Sequence, residues 1–218
     1  MKNAGSSLLI LVLLCRVDCV AQSLSRESRP EVLVGESWVY RDRDVNSGET
    51  RETSFSVKAV AADKIITETG LSTSGLWTFT RDWNLIERRT GTKVEEVVMP
   101  YWPHFEFPLE AGKTWIKRFE NEVMTKRGKR DAKWEWKAHV AGAELVTVPA
   151  GRFQTLRVDY NGSFSSREDQ RSWTGTRKET IWYAPEAKRG VKREFEQSVP
   201  QNHYYDHHVI ELVSFKLP

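Results

Sequence analysis

Apolar and polar residues alternate with period two along most of this chain. Over residues 133–141, Trp134, Trp136, Ala138 and Val140 fall on one face, and Lys133, Glu135, Lys137 and His139 on the other. Successive side chains of a strand point to opposite faces of its sheet, so this pattern predicts a strand with one buried face. Residues 153–160 set Leu156, Val158 and Tyr160 against Thr155, Arg157 and Asp159. Residues 53–60 set Phe55, Val57 and Ala59 against Ser54, Ser56 and Lys58. The run 209–217 puts Val209, Val213, Phe215 and Leu217 on one face, which Glu211 interrupts.

Turn residues punctuate these runs at short intervals. Asn46-Ser47-Gly48, Arg127-Gly128-Lys129 and Pro149-Ala150-Gly151 each separate two alternating stretches, and Pro149-Ala150-Gly151 reads as a tight hairpin. Residues 185–190 divide two more. No apolar stripe of helical period runs beyond two turns. The prediction is an all-β fold: an antiparallel sandwich, or a curved or open barrel, of roughly twelve strands.

The strands fall into two related halves. VGESWVYR at 34–41 resembles AGKTWIKR at 111–118. Residues 56–60 resemble 136–140, and the stretch from Trp77 to Arg88 echoes that from Trp182 to Arg193. These matches occur in the same order, which points to duplication. The expected organisation is a flexible lead-in at 22–31 and one domain at 32–218. Its first half spans about 32–98, a connector 99–108, and its second half about 109–218. The connector holds Pro100, Pro103 and Pro108 and four aromatic residues. Its prolines argue against a central strand there.

Residues 1–21 have the form of a secretory signal peptide. Lys2 precedes the seven-residue apolar run at 8–14, and Cys19-Val20-Ala21 offers a cleavage site. That run is too short to span a bilayer, which takes roughly 20 residues, and no later stretch does better. Leu14 before Cys15 and Asp18 before Cys19 are poor contexts for lipid attachment. Both cysteines of the chain lie in this segment, so residues 22–218 are expected to hold no disulfide and no thiolate chemistry. Export without cysteines fits a bacterial periplasm or cell surface.

Composition narrows the function. Nine Trp, six Tyr and nine Phe can bury a large surface, which argues against disorder. The net charge of +3 comes from 33 Lys and Arg against 30 Asp and Glu, too even for a nucleic-acid binder.

Four segments carry a resemblance to a known group: FPLEAGKTW at 107–115, VTVPAGRF at 146–153, WYAP at 182–185 with VKRE at 191–194, and ELVSFKL at 211–217. Together they resemble the exported bacterial all-β proteins grouped as domain of unknown function 3108 and its relatives. The resemblance covers about half of the chain. It implies an exported protein with a curved or barrel-like core, and it carries over no catalytic residue. The segment 198–208 is not part of that pattern.

No Gly-x-Ser-x-Gly elbow, Ser-x-x-Lys pair or glycine-rich phosphate loop occurs. Glu95 with Glu96, and Glu168 with Asp169, are adjacent and point to opposite faces of a strand, which is wrong for shared acid–base work. The expected function is therefore non-enzymatic, with no cofactor. The aromatics carry the stronger expectation: Trp102, Phe105 and Phe107 in the connector and Trp134 and Trp136 on one strand face could wall a site for a lipid or another apolar molecule. His203 and His207 would share a strand face and are the candidate metal ligands. The basic residues at 126–130 would sit at a hairpin tip. The alternative function is a structural or interaction protein that meets an envelope partner without a small-molecule ligand.

Overall fold

The computed structural model describes residues 25–71 and 74–218. The expected signal peptide and both cysteines lie outside the described residues. Fourteen strands follow in order: β1 (Arg26–Glu27), β2 (Ser37–Asp44), β3 (Thr50–Val60), β4 (Lys64–Leu71), β5 (Gly75–Thr80), β6 (Leu85–Thr90), β7 (Lys93–Trp102), β8 (Leu109–Glu110), β9 (Thr114–Thr125), β10 (Gly128–Val148), β11 (Gly151–Glu168), β12 (Arg171–Ala184), β13 (Arg189–Val199) and β14 (Tyr204–Lys216). Two 3-10 turns, Pro185–Ala187 and Pro200–Asn202, complete the described secondary structure.

Twelve of these strands close into one antiparallel barrel. β2 to β7 and then β9 to β14 each pair with the next, and β14 pairs with β2. Closure removes every sheet edge from the barrel. Eight strands make a barrel that wall side chains just fill, whereas sixteen or more leave an aqueous channel. Twelve lies between, so large inward residues and a plug are needed, and space remains.

Each half supplies six barrel strands and enters its first one in the same way. Gly35 (φ 93°) and Gly112 (φ 84°) both lie in the left-handed region that favours glycine. Gly35 donates to the Val57 carbonyl, and Val57 donates back to that of Glu36. Gly112 and Val140 repeat the exchange, with Lys113 in place of Glu36. A bulge follows each site, between Val57 and Ala59 and between Val140 and Gly142. Val57 thus corresponds to Val140, three residues away from the alignment that sequence similarity suggests. In the third match, Arg88 lies over the Trp77 ring and Lys192 over that of Trp182.

The lower end, where β2 and β9 begin, is closed by two devices. The long β10–β11 hairpin reaches beneath the barrel past the Gly142 bulge. At its tip Ala150 donates to the Leu212 carbonyl of β14 (3.0 Å), and Phe153 meets Phe215. The irregular segment 103–108 forms the plug, and its buried backbone groups need partners. The Asn84 side chain exchanges two hydrogen bonds with the backbone of Phe105 (both 2.8 Å). Trp115 Nε1 donates to the Pro103 carbonyl, and the Tyr160 hydroxyl donates to that of His104. β1 and β8 pair beside the plug as a separate two-stranded sheet.

Three expectations need correction. β7 runs on to Trp102, through Pro100. Its pairing with β9 ends at Met99, and its register with β6 jumps from Val97 to Trp102, so the missing Pro100 N–H breaks no ladder bond. On β14 the buried residue is Leu212, with Ile210 on the same face, and a bulge at Val213 displaces the alternation. Ala59 is exposed because the β3 bulge reverses its face.

Candidate functional site

Within the barrel lies a cavity of about 630 Å³, floored by His104 and Phe105 of the plug and reaching toward the upper hairpins. Residues from all barrel strands but β4 line it. This volume lies in the range of small-molecule sites.

One wall is aromatic. Trp102 sits 5.0 Å from Phe119, 5.0 Å from Trp134 and 5.6 Å from Trp136 between ring centroids. Trp134 is fixed by a chain of polar contacts: its Nε1 donates to Asn121, Asn121 donates to Glu96, and Glu96 pairs with Arg88. Trp136 is fully buried. It lies against Gly162, where a Cβ would come within 2.3 Å of the indole; only glycine permits this approach.

The lumen is also rich in arginine. Arg51, Arg88, Arg130, Arg177, Arg189 and Arg193 line it, against the carboxylates of Asp42, Glu96 and Asp206. A fourth carboxylate, Glu179, is fully buried behind them. It pairs with Arg177 (2.9 Å), Arg193 (2.8 Å) and His104 (3.2 Å). Burial alone would raise the Glu179 carboxyl, but Arg193, Arg177 and His104 outweigh it and hold it well below the usual carboxylate range. Burial pushes the His104 imidazole below its ordinary value, opposed by Glu179. This network ties the plug to β12 and β13.

Arg189 stands apart. It follows the Pro185–Ala187 turn at the lower end, and its guanidinium lies among Trp38, Tyr40, Phe55, Phe79 and Trp83, 4.3 to 5.6 Å from their ring centroids. No carboxylate pairs with it among the described residues, and one terminal nitrogen is buried without a hydrogen-bond partner. Burial lowers its ordinary pKa, opposed by Tyr40.

Of the predicted aromatic residues, Trp102, Phe105 and Trp134 line the cavity. Trp136 supports that wall from behind, and Phe107 packs beside the plug against Phe105 and Tyr183. The histidines come together differently from the expectation. His203 caps a 3-10 turn in a left-handed conformation and precedes β14, so the shared strand face with His207 does not form. His207 is paired with Glu194 (3.0 Å). No cluster of three or more His, Cys, Asp or Glu suited to a metal ion occurs among the described residues. Arg177, Arg189 and Arg193 were not anticipated. The available clue was parity: Arg177 shares the inward face of β12 with Ile181, and Arg193 that of β13 with Phe195.

Two solved structures share this fold. One is a Parabacteroides distasonis protein described as a lipoprotein: TM-score 0.50, 15% identity, covering 87% of this chain and 99% of that one. The other, from Bacteroides fragilis, is described as an exported protein with a YmcC-like fold: TM-score 0.51, 14% identity, covering 88% of this chain and all of that one. No family model matches the chain, so the narrower resemblance to domain of unknown function 3108 has no match behind it. No curated protein matches it either. At these identities the likeness establishes the barrel fold.

Proposed function

We propose that this protein is a non-enzymatic binding or carrier module of the bacterial cell envelope that takes an amphipathic small molecule into its barrel lumen. The carrying observation is the 630 Å³ cavity, walled by aromatic rings and guanidinium groups and plugged at one end. A barrel whose purpose was only structural could fill this space with aliphatic side chains; interiors normally pack to near-crystalline density. Rings on one wall suit an apolar body, and the arginines suit a polar group. The envelope location is supported by the signal-like segment at 1–21 and by a fold shared with bacterial proteins described as exported or as a lipoprotein.

The reading assigns no catalytic residue. Glu179 and His104 hold each other and the two arginines in a closed network, which suits support of the wall better than proton transfer. The test is native mass spectrometry of protein purified from its own host, followed by organic extraction. A co-purifying small molecule at near-stoichiometric amount is expected. A bare protein mass after gentle purification would contradict the reading and favour an interaction protein instead.

A further inference from the structure

We propose that Arg189 anchors an anionic group of the lumen ligand, so that the ligand class is an apolar body carrying a carboxylate or phosphate. This rests on the lumen reading above and narrows it.

Three observations carry the inference. The first is charge. Six arginines line the cavity against four carboxylates, Asp42, Glu96 and Asp206 in the lining and Glu179 behind it, an excess of two positive charges. Arg51 pairs with Asp42, Arg88 with Glu96, and Arg177 and Arg193 share Glu179. The second is that Arg189 forms no ion pair among the described residues and leaves a buried terminal nitrogen unsatisfied. A buried donor without a partner is costly, and a charged one more so. The third is position. Arg189 lines the cavity at its lower end beside Gly190, and five rings surround it. The rings stabilise the cation through their faces but cannot accept its N–H groups as a carboxylate or phosphate does. A guanidinium fork is well suited to bind either anion through two parallel hydrogen bonds. Trp77, Phe79 and Trp83 line the same part of the cavity, so an apolar body next to the anion meets aromatic surface.

The experiment is isothermal titration at pH 7 with three probes of equal chain length: dodecanoate, dodecyl phosphate and dodecanol. It uses the purified protein and its Arg189→Met and Arg189→Lys variants. Wild-type protein is expected to bind the better of the two anions about ten- to a hundredfold more tightly than dodecanol, the range of a hydrogen bond to a charged group. Which anion leads distinguishes a carboxylate ligand from a phosphate. Arg189→Met should abolish the difference while leaving dodecanol affinity within about twofold, and Arg189→Lys should keep part of it. Equal binding of anions and alcohol by wild-type protein, or a difference that survives in Arg189→Met, would overturn the inference and leave the lumen reading standing. Binding of no probe would remove both. Thermal unfolding separates a structural guanidinium from a ligand anchor. Arg189→Met should unfold at the same temperature or higher, because an unpaired buried cation is removed. A fall of more than about 10 °C, the scale of losing a large core side chain, would show that the guanidinium serves the fold and overturn the assignment.

Discussion

Substituting Glu179 by Gln removes one negative charge and leaves three groups facing its position. Arg177 and Arg193 approach its carboxylate to 2.9 and 2.8 Å, and His104 to 3.2 Å. At an effective dielectric of 20, each guanidinium at a charge separation near 4 Å is attracted by about 4 kcal/mol before desolvation is subtracted. Desolvation removes most of that gain in the intact network. Once the carboxylate is gone, however, the buried Arg177 and the partly buried Arg193 are both left uncompensated. Breaking a buried pair in this way costs about 3–5 kcal/mol, a large part of the roughly 5–15 kcal/mol that stabilises an ordinary domain. Urea unfolding followed by tryptophan fluorescence measures it. Glu179→Gln is expected to lose stability in that range, and adding Arg177→Met should recover a substantial part by removing one stranded charge. The exposed Arg118–Glu135 pair is the control, and Arg118→Ala should leave the midpoint unchanged. If Glu179→Gln unfolds at the wild-type midpoint, or if Arg177→Met deepens its loss, the network does not hold the plug to the wall as described.

Other predictions concern packing, pH and access. Gly162→Ala puts a Cβ within 2.3 Å of the Trp136 ring; the overpacking should cost about 1–3 kcal/mol and alter the near-ultraviolet circular dichroism of the indole. Acid should destabilise the protein in two steps. His104 titrates below its ordinary 6.5 when folded, so the unfolded chain takes up a proton first, and stability falls as pH drops below 6.5. Glu179 is held below its ordinary 4.5, so its contribution is complete above that value and is lost as pH falls toward its folded pKa. Thermal midpoints measured across pH should show both steps, and His104→Gln should reduce the upper one. Ala132→Trp places an indole into the lumen wall and should abolish uptake of alkyl probes while the barrel still unfolds cooperatively.

The barrel was legible because its cause is local. Period-two runs and turn residues recur along the chain, and they place most strands and hairpins, including the two-residue turn at Pro149-Ala150. Bulges were not legible. An extra residue reverses the inward face without altering composition, which is why Ala59 and Val209 were assigned to the wrong side. The distinction between sandwich and barrel rests on β14 meeting β2, a contact between residues far apart in sequence. The aromatic wall was read in part, since Trp134 and Trp102 announce themselves by type. The arginines carry no signal of their own in the sequence, because strands normally turn charge outward; their inward placement follows only from registering them against buried neighbours on the same face. The candidate histidine pair assumed that β14 begins at His203, whereas the Pro200–Asn202 turn delays it by one residue.

The most direct measurement of the central claim is tryptophan quenching by a brominated alkyl chain. Trp77, Trp83, Trp102, Trp134 and Trp173, five of the nine tryptophans, line the cavity. Titration with bromododecanoate should quench a large share of the emission, saturate at one molecule per protein, and be reversed by unbrominated dodecanoate. Weak quenching that rises linearly without saturation, and that persists unchanged in Ala132→Trp, would mean that the chain touches only the outer wall and that the lumen is not a binding site.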